Sequence, residues 1–294
     1  MKLHSLIAKA LVDADLDAAE ISDLVTRAVA EDLDGGVDVT SESTVPSEQR
    51  ASLDLVARQS GTTAGAWIAA AVFDLYSDHD TVVEVHIHDG SDVKVGDVIL
   101  TATGRTRDLL VCERTALNFL GQLSGVATAT RSWVRALEGT QARVRDTRKT
   151  TPLLRKLEKY AVRCGGGVNH RMSLSDAALV KDNHILAAGG VREAFTAVRT
   201  RFPHVSVEVE VDTLEQLHTV LDAGADLVLL DNFSLEQLRE AVAITAGRAQ
   251  LEASGGLTLT DAHDVGATGV DFLAVGALTH SARVLDIGAD LRSI

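Results

Sequence analysis

The stretch from Val144 to His184 reads VRDTRKTTPLLRKLEKYAVRCGGGVNHRMSLSDAALVKDNH and carries the first unit of a strand–helix–strand repeat. We predict strands at 142–147 and 177–181, with a helix at 152–163 between them. The alternation of helix and strand continues at 190–201, 206–211, 213–223, 226–230, 234–246, 249–253, 258–266 and 271–275. This order is typical of parallel strands joined by helical crossovers. The strands are too few for a closed eight-stranded barrel, so we predict an incomplete (open) α/β barrel, with an open α/β sheet as the alternative.

The same stretch is basic although the protein is acidic. From Arg143 to Arg171 there are nine Lys or Arg residues and two acidic ones, whereas the whole chain has a net charge of −14. Concentrated positive potential favours a small, multiply charged anion. A nucleic-acid-binding protein would have a broader basic surface and a basic domain. We interpret Arg155, Lys156 and Lys159 as an exposed helix face, and Arg148, Lys149, Arg171 and Lys181 as candidate ligand-binding residues.

The residues before the repeat are predicted to form an N-terminal α+β domain at 1–115, and the barrel domain is placed at 116–277. The C-terminal segment 278–294 is a candidate for packing back on the N-terminal domain. Residues 1–110 contain eight basic and twenty acidic residues, so we expect no anion site there. The N-terminal domain is interpreted as a scaffold or a lid.

Within the N-terminal domain we predict two helices in 5–33, separated near Asp13–Asp17, and a polar loop at 38–47. Short strands and one helix are predicted next, at 51–58, 64–77, 81–88 and 98–103. The apolar pattern at 107–137 predicts two helices hinged near Gly121–Gly125.

Three features of the sequence suggest a cytoplasmic protein. No apolar run approaches the roughly 18 residues of a membrane span. The N-terminus lacks the apolar core of an export signal. Cys112 and Cys164 have neither metal-ligand spacing nor the pattern of a disulfide framework. We therefore expect neither a membrane nor a nucleic acid as a partner.

Polar, charged or glycine residues stand at the ends of successive predicted strands: Arg148-Lys149, Lys181-Asp182, Glu208 and Glu210, Asp231-Asn232, Ser254-Gly255-Gly256, and Gly276. An α/β barrel carries its active site at the carboxyl ends of its strands, which makes these positions candidates for an active site. Asp231 taken alone could equally be a helix N-cap.

The residue types divide the candidate site into two sides. Arg148, Arg171 and Lys181, with His170, suit carboxylate groups. Glu210 and Asp231 suit a hydroxylated sugar or Mg²⁺. The backbone of Ser254–Gly256, leading into a helix near Thr258, suits a phosphate, and Gly276-Ala277 could repeat that arrangement. The sequence therefore predicts a ligand with carboxylates and a phosphorylated, metal-bound sugar.

Several motifs at these positions resemble the quinolinate phosphoribosyltransferase family. They are DVTSESTVP at 38–46, ERTALNFLGQLSGVATAT at 113–130, DTRKTTP at 146–152, EKYAVRCGGGVNHR at 158–171, LVKDNH at 179–184, EVEVD at 208–212, LLDNF at 229–233, LEASGG at 251–256 and AVGALTH at 274–280. The likeness covers nearly the whole chain. One departure is Leu153, where the family usually has glycine.

The resemblance implies quinolinate and phosphoribosyl pyrophosphate as substrates, Mg²⁺ as cofactor, and a homodimer. It implies a quinolinate pocket of Arg148, His170, Arg171 and Lys181, completed by Arg114 of the neighbouring subunit, with Thr147 as a further substrate-binding residue. Catalytic roles next to the phosphoribosyl group fall to Lys149, Glu210 and Asp231, and the last two could hold Mg²⁺ directly or through substrate or water. The 5′-phosphate would bind at Ser254, Gly255, Gly256, Val275, Gly276 and Ala277.

Three other functions are considered. A non-carboxylating phosphoribosyltransferase of the same fold would act on nicotinate, which has one carboxylate fewer. A Schiff-base aldolase could use Lys149 or Lys181, although a reactive lysine is normally activated by desolvation rather than placed among anion-binding arginines. A non-catalytic barrel would have gaps among the strand-end residues, and the sequence has none.

Overall fold

The computed structural model describes residues Leu3–Ile294. The helices of this part of the chain are α1 Ser5–Asp13, α2 Ala18–Leu33, α3 Val39–Thr44, α4 Ala66–Tyr76, α5 Thr106–Ala136, α6 Arg155–Cys164, α7 Asp182–Ala188, α8 Val191–Arg201, α9 Leu214–Asp222, α10 Leu235–Thr245, α11 Ala262–Gly266 and α12 Ala277–His280. The strands are β1 Arg50–Ala57, β2 Gly61–Thr62, β3 Val82–Val85, β4 Asp92–Val93, β5 Val98–Arg105, β6 Arg143–Arg145, β7 Ala177–Val180, β8 Ser206–Val211, β9 Leu227–Asp231, β10 Gln250–Ser254, β11 Phe272–Ala274 and β12 Ile287–Ser293.

The chain forms two compact units. The first unit runs to Ala129 and also includes Lys156–Gly166 and Ala282–Ile294, and the second consists of Thr130–Arg155 and Gly167–Ser281. The predicted boundary between residues 115 and 116 falls inside α5, which continues to Ala136. A continuous helix leaves no linker at that position, so the periodicity of the sequence could not mark the division.

The first unit is built on an antiparallel sheet in the order β12-β1-β5-β3. Strand β12 pairs with β1 from Ala51 opposite Ser293 to Ala57 opposite Ile287, so the C-terminal segment is part of this unit. The nearly all-apolar helix α4 is buried along most of its length, and α1 and α2 pack against it. Helix α6 also belongs here, because Tyr160 donates a hydrogen bond of 2.6 Å to Asp89.

Two predictions for the first unit are wrong for identifiable reasons. Helix α5 has no hinge; a Cβ on Gly125 would lie 2.2 Å from the carbonyl oxygen of Arg283, so this glycine allows close packing rather than bending. The predicted polar loop at 38–47 contains α3, whose first N–H groups are capped by the Asp38 carboxylate. The Asp38 carboxylate accepts hydrogen bonds from the side chain and the backbone of Ser41, and these lower the pKa of Asp38.

Two further expectations for this unit have opposite outcomes. The break between α1 and α2 near Asp13–Asp17 is confirmed. Lys159, expected on an exposed face, is fully buried, whereas its neighbour Lys156 is exposed and pairs with Glu20.

The second unit contains a six-stranded parallel sheet in the order β6-β11-β10-β9-β8-β7. All six predicted strands of this region are present, and four of the predicted crossover helices correspond to α8, α9, α10 and α11. Strands β6 and β7 form the two edges of the sheet, so the sheet does not close. The prediction of an open, incomplete α/β barrel after an N-terminal α+β domain is thus confirmed in fold class.

Alternation along the strands puts charged residues on one face of this sheet. In β8, Val207, Val209 and Val211 are buried on one face, while Glu208 and Glu210 point to the other, because successive side chains in a strand alternate. Strand register places Leu179, Leu229, Glu252, Ala274 and Arg145 on the same face as the two glutamates. We call this the charged face.

Candidate active site

A cavity of about 270 Å³ lies at the carboxyl end of the charged face. It is lined by Thr147, Arg148, Lys149, His170, Arg171, Leu179, Lys181, Leu229, Glu252, Ser254 and Ala274, all from the second unit. Seven of these are residues that the sequence placed in the site. The loops after β6, β7 and β10, together with the segment around His170, therefore converge on one pocket.

Four cations line the cavity, and we call them the cationic rim: Arg148, Lys149, Arg171 and Lys181. The Nε atoms of Arg148 and Arg171 are buried and have no hydrogen-bond partner within residues 3–294. Burial, and next the charge of Arg148, lower the pKa of Arg171. Two arginines that repel each other, each with a buried donor unused, form a site prepared for an anion.

The loop that carries His170 and Arg171 is fixed by a buried carboxylate. Asp146, which is fully buried, accepts hydrogen bonds from the backbone N–H of His170 at 2.8 Å and from the side-chain amide of Asn169 at 2.5 Å. Arg171 then donates through Nη1 to the carbonyl of Ala177 at 3.0 Å. The DTR and NHR motifs are thus linked by one carboxylate, which explains why these residue types occur together.

Lys181 is held by the start of α7, a helix that the sequence did not predict separately. The backbone N–H of Lys181 donates to Nδ1 of His184 at 3.0 Å. The Lys181 ammonium forms an ion pair with Glu210 at the end of β8. The cation at the end of one strand is therefore directly connected to the carboxylate at the end of the next.

Beneath the rim lies a second set of charges, which we call the buried ionic layer: Arg145, His170, Glu208 and Glu252. The Arg145 guanidinium contacts Glu252 at 2.6 Å and lies 4.7 Å from the centre of the Phe272 ring. His170 Nε2 lies 2.8 Å from Glu208 Oε2 and 3.7 Å from Glu252 Oε1. Burial, and next the charge of Glu208, raise the pKa of Glu252 to about 8, while Arg145 opposes that rise.

The sequence pointed to half of this layer: His170 and Glu208 were named, but Glu252 and Arg145 were not selected. Glu252 lies inside the short, largely buried strand β10, and Arg145 is the last residue of β6. A charged side chain is rarely buried without a partner. Charged residues in otherwise buried strands were the signal that could have identified the layer.

His170, Glu208 and Glu252 also form the one group of three within residues 3–294 whose ligand atoms lie close enough to hold a metal ion. Arg145 already supplies positive charge to this group, with its guanidinium 2.6 Å from Glu252. A divalent cation would have to sit beside that guanidinium. We therefore interpret the group as an ionic layer and not as a metal site.

Two predicted site carboxylates, Glu210 and Asp231, lie at the ends of β8 and β9 and are not among the residues that line the cavity. Glu210 is largely buried and pairs with Lys181. Asp231 accepts a hydrogen bond of 2.7 Å from the amide of Asn232. Asp231 does not cap α10, because the N-cap is Ser234, whose hydroxyl accepts from the N–H of Gln237. The alternative role of Asp231 as a helix cap is therefore excluded, and carboxylate oxygens of this kind suit Mg²⁺.

The glycines after β10 and β11 allow close approach of neighbouring loops. A Cβ on Gly255, whose φ is +90°, would lie 2.2 Å from Oδ1 of Asn232. A Cβ on Gly276 would lie 2.9 Å from Cδ of Lys149, whose carbonyl accepts from Thr279 at 2.8 Å. Because these two glycines have no side chain, the loops after β6, β9, β10 and β11 can pack closely against one another.

One detail of the phosphate prediction is wrong. The helix expected near Thr258 begins only at Ala262, so Ser254–Gly256 lead into a turn instead of a helix N-terminus. Gly276 does precede a helix, the four-residue α12. Backbone N–H groups in the turn, and not a helix dipole, are what this loop offers to an anion.

Arg114 lies in the first unit, exposed on α5. The cavity contains residues of the second unit alone, so nothing in a single chain assigns Arg114 to it. Within residues 3–294, no helix combines the length and apolar character needed to cross a bilayer.

Comparisons with known proteins agree with the motifs. Residues 126–290 match the family model of the quinolinate phosphoribosyl transferase C-terminal domain, and residues 38–124 match that of the N-terminal domain. A Mycobacterium leprae protein named nicotinate-nucleotide pyrophosphorylase (carboxylating) is 48% identical, over 96% of this chain and 100% of its own length. A Bacillus subtilis protein with the name "probable nicotinate-nucleotide pyrophosphorylase (carboxylating)" is 41% identical, over 92% of this chain and 93% of its own.

Solved structures show the same likeness. The crystal structure of NadC from Streptococcus pyogenes has a TM-score of 0.91 and 40% identity, covering 95% of this chain and 99% of that chain. Human nicotinic acid phosphoribosyltransferase has a TM-score of 0.62 at 13% identity, covering 87% and 72% of the two chains, which shows a shared fold alone.

Proposed function

The chain belongs to the quinolinate phosphoribosyltransferase family, and we propose that it transfers a phosphoribosyl group from phosphoribosyl pyrophosphate to quinolinate with loss of CO₂. The products would be nicotinate mononucleotide, pyrophosphate and CO₂, a step of NAD biosynthesis. The observation that carries the proposal is the cationic rim, in which Arg148 and Arg171 each keep a buried Nε that has no hydrogen-bond partner in the described part of the chain. Two adjacent carboxylates on one small ring match this arrangement.

The number of cations favours quinolinate over nicotinate. Arg148 and Arg171 are near enough for mutual repulsion to lower the pKa of Arg171, so one carboxylate would leave part of that repulsion unbalanced. A dicarboxylate neutralises both guanidinium groups. We therefore retain the non-carboxylating reaction only as the alternative that the assay must exclude.

The chemistry needs positioning and charge stabilisation, not a protein nucleophile. The ring nitrogen of quinolinate bonds to the anomeric carbon as the bond from that carbon to pyrophosphate breaks, and positive charge develops on the sugar. Glu210 and Asp231 would stabilise this charge, and Lys149 would stabilise the leaving pyrophosphate. Glu210 and Asp231 would also hold Mg²⁺, which when bound neutralises negative charge on the pyrophosphate group.

Decarboxylation follows from the product of the transfer. Once the ring nitrogen carries the sugar it is positively charged, so it accepts the electron pair left when the adjacent carboxylate departs as CO₂. That carbon then takes up a proton. The rim residues need only hold the second carboxylate in place, and Arg148, Arg171 and Lys181 are the groups suited to that.

The ion pair between Lys181 and Glu210 argues against a Schiff-base aldolase. The Lys181 ammonium lies against the Glu210 carboxylate, whereas a nucleophilic lysine is normally activated in a desolvated, apolar setting. Lys149 is exposed among arginines rather than desolvated. We propose that the loops at Ser254–Gly256 and Val275–Ala277 bind the 5′-phosphate through their backbone N–H groups.

We further propose a homodimer in which Arg114 of one subunit reaches the quinolinate pocket of the other. Support comes from the exposure of Arg114 on α5 and from a cavity lined by one unit of the chain. A two-fold interface is isologous, so each subunit would donate one Arg114 and receive one. We also propose that the protein is located in the cytoplasm.

The dimer proposal is tested by mixing two inactive variants, Arg114→Ala and Lys181→Ala. In a heterodimer one site receives both lesions and the other receives neither, so activity should return toward one working site per heterodimer. Heterodimers that form but stay inactive would place Arg114 in its own chain or outside the site.

The reaction is tested by incubating the purified chain with quinolinate, phosphoribosyl pyrophosphate and Mg²⁺. We expect CO₂ and pyrophosphate to be released in equal amounts. Nicotinate replaces quinolinate in the parallel reaction, and pyrophosphate release there without CO₂ at a comparable rate would favour the non-carboxylating function. Asp231→Asn should lower kcat and alter the Mg²⁺ dependence, because it keeps the shape of the side chain but removes the charge.

A further inference from the structure

The buried ionic layer has a feature that fold stability does not explain. Both carboxylate oxygens of Glu208, and Oε1 of Glu252, are buried and have no aligned hydrogen bond within residues 3–294. Buried charges of this kind seldom stabilise a fold more than apolar side chains of the same size would. Residues kept in such a state call for a functional account.

The geometry connects Glu208 to the rim through a single histidine. Nδ1 of His170 accepts a hydrogen bond of 2.7 Å from the backbone N–H of Arg171, so the ring carries its proton on Nε2. That nitrogen lies 2.8 Å from Oε2 of Glu208. The ring is thus held at one nitrogen by the glutamate and at the other by the rim residue's own backbone.

His170 is almost fully buried although it lines the cavity. Turning its ring would break the contact with Glu208 and release the Arg171 amide in one movement. The Arg171 guanidinium is tied to Ala177 through Nη1 alone, so its remaining orientation depends on the backbone that His170 fixes. A group that orients a binding residue in this way commonly changes affinity when it is removed.

We infer that Glu208 is a positioning residue for quinolinate, acting through the His170 ring on the backbone and guanidinium of Arg171. The inference rests on the proposed function, since it concerns the same pocket. It assigns to His170 the role of a connector, with both ring nitrogens turned to the protein. Arg145 lies 3.9 Å from Glu208, and Glu252 lies 3.7 Å from His170. Arg145 and Glu252 also contact each other at 2.6 Å.

The test uses Glu208→Leu, which removes the contact at similar volume, and Glu208→Gln, which keeps an oxygen facing Nε2. We expect Glu208→Leu to raise the quinolinate Kd roughly tenfold, at the low end of effects for outer partners of binding residues. The KM for phosphoribosyl pyrophosphate should stay unchanged. Glu208→Gln should restore most of the quinolinate affinity. Equal losses for both substrates would overturn the inference.

A double-mutant cycle separates positioning from a general structural effect. If Glu208 acts through His170, then Glu208→Leu should add little to the loss already caused by His170→Ala. Additive losses would overturn the inference. If Glu208→Leu does not fold, the cycle is run with Glu208→Met, which also removes the carboxylate, and additivity has the same meaning.

A matched control is available in the first unit, where Asp54 is also buried and paired. Asp54 accepts from Arg292 at 2.6 and 2.8 Å and from Thr101 at 2.7 Å. Asp54→Asn should lower Tm and leave the quinolinate Kd unchanged. If it raises that Kd as much as Glu208→Leu does, the effect is one of stability and the inference fails.

Nitrogen NMR of the ligand-free wild type gives an independent readout. The ¹⁵N shifts of His170 should show the Nε2–H tautomer, and Glu208→Leu should change them. If the wild type has no activity, the proposed function is refuted. If the wild type is active and the Glu208 variants bind quinolinate with the wild-type Kd, the positioning role alone is refuted.

Discussion

Two sets of charges lie on one face of the same sheet and are treated differently by the fold. In the buried ionic layer, Arg145 is balanced by Glu252, and Glu208 is balanced by its contacts with Arg145 and His170. In the cationic rim, Arg148 and Arg171 repel each other, and the buried Nε of each has no hydrogen-bond partner among the residues that the structure describes. The charges of the layer lie against one another inside the protein, whereas the rim arginines keep hydrogen-bond donors for a ligand.

The first way to challenge this comparison is to remove the cation of the layer. Arg145→Met should destabilise the protein by about 3–5 kcal/mol, because it leaves Glu208 and Glu252 buried without their guanidinium. Urea denaturation measures the change. Arg199→Met is the matched control, since Arg199 is half exposed and lies 3.7 Å from Asp226, and its loss should cost less than about 1 kcal/mol. Similar losses in both variants would mean that the layer is not an architectural unit.

The second prediction applies the same operation to the rim. Arg148→Ala or Arg171→Ala should weaken quinolinate binding by about 1.5–3 kcal/mol, the size of a charge-assisted contact. Arg148→Ala should not lower the Tm of the ligand-free protein, because it relieves repulsion and breaks no ion pair among those described. Calorimetric titration and thermal unfolding measure the two effects.

Lys156→Ala is the control for the rim variants, since Lys156 belongs to the same basic stretch but pairs with Glu20 in the first unit. Its quinolinate Kd should equal that of the wild type. An unchanged Kd in Arg148→Ala, or a large loss of its Tm, would remove the distinction between rim and layer.

What the sequence could predict follows the same division. The rim residues stand in loops directly after strands, where polar residues indicate a site, so Arg148, Lys149 and Lys181 were placed correctly in one cavity. Glu208 and Glu252 stand within strands, and only the strand order of the sheet brings Arg145 to Glu252 across β11. Asp231 could not be separated from a helix cap until Ser234 was seen at the cap position.

The fold was predictable where periodicity is local. The strands and crossover helices of the second unit follow from alternation in the sequence. The continuity of α5 and the placement of Lys156–Gly166 in the first unit depend on distant contacts, such as Gly125 with Arg283 and Tyr160 with Asp89. No pattern within the helices themselves reports those contacts.

The third prediction concerns the protonation of Glu252 in the buried ionic layer. Glu252 has a pKa of about 8 in the folded state and an ordinary value of 4.5 when unfolded. Between these values the folded state binds a proton that the unfolded state does not, so stability falls as pH rises from about 5 to 8 and levels off above that. Each unit of pKa difference between the folded and the unfolded state corresponds to about 1.4 kcal/mol of unfolding free energy, so the loss is measurable across this window.

Glu252→Gln is the comparison for this effect, because its side chain does not titrate. The difference in unfolding free energy between wild type and Glu252→Gln should shift in favour of the variant as pH rises through this window. A constant difference from pH 5 to 9 would show that Glu252 is ionised throughout, like an ordinary paired carboxylate.

The smallest effect is expected at Leu153, in the loop that follows the rim residues Arg148 and Lys149. Leu153 is 84% exposed, and its φ is +68°. Glycine adopts this backbone conformation freely, whereas leucine does not. This explains why the family usually has glycine there. If the rim loop is strained as well as charged, Leu153→Gly should stabilise the protein by about 0.5–1 kcal/mol, since the relief of about 1–2 kcal/mol exceeds the added chain entropy.

Leu186→Gly provides a control of opposite sign. Leu186 is 81% exposed, similar to Leu153, but it lies inside helix α7. Glycine at that position should cost about 0.5–1 kcal/mol of stability. Both variants are compared by urea denaturation and by quinolinate titration. Stabilisation by Leu153→Gly with an unchanged quinolinate Kd would mean that the loop strain is separate from binding. If Leu153→Gly destabilises the protein as Leu186→Gly does, the backbone of the rim loop is not strained, and the rim destabilises the fold through its unpaired charges alone.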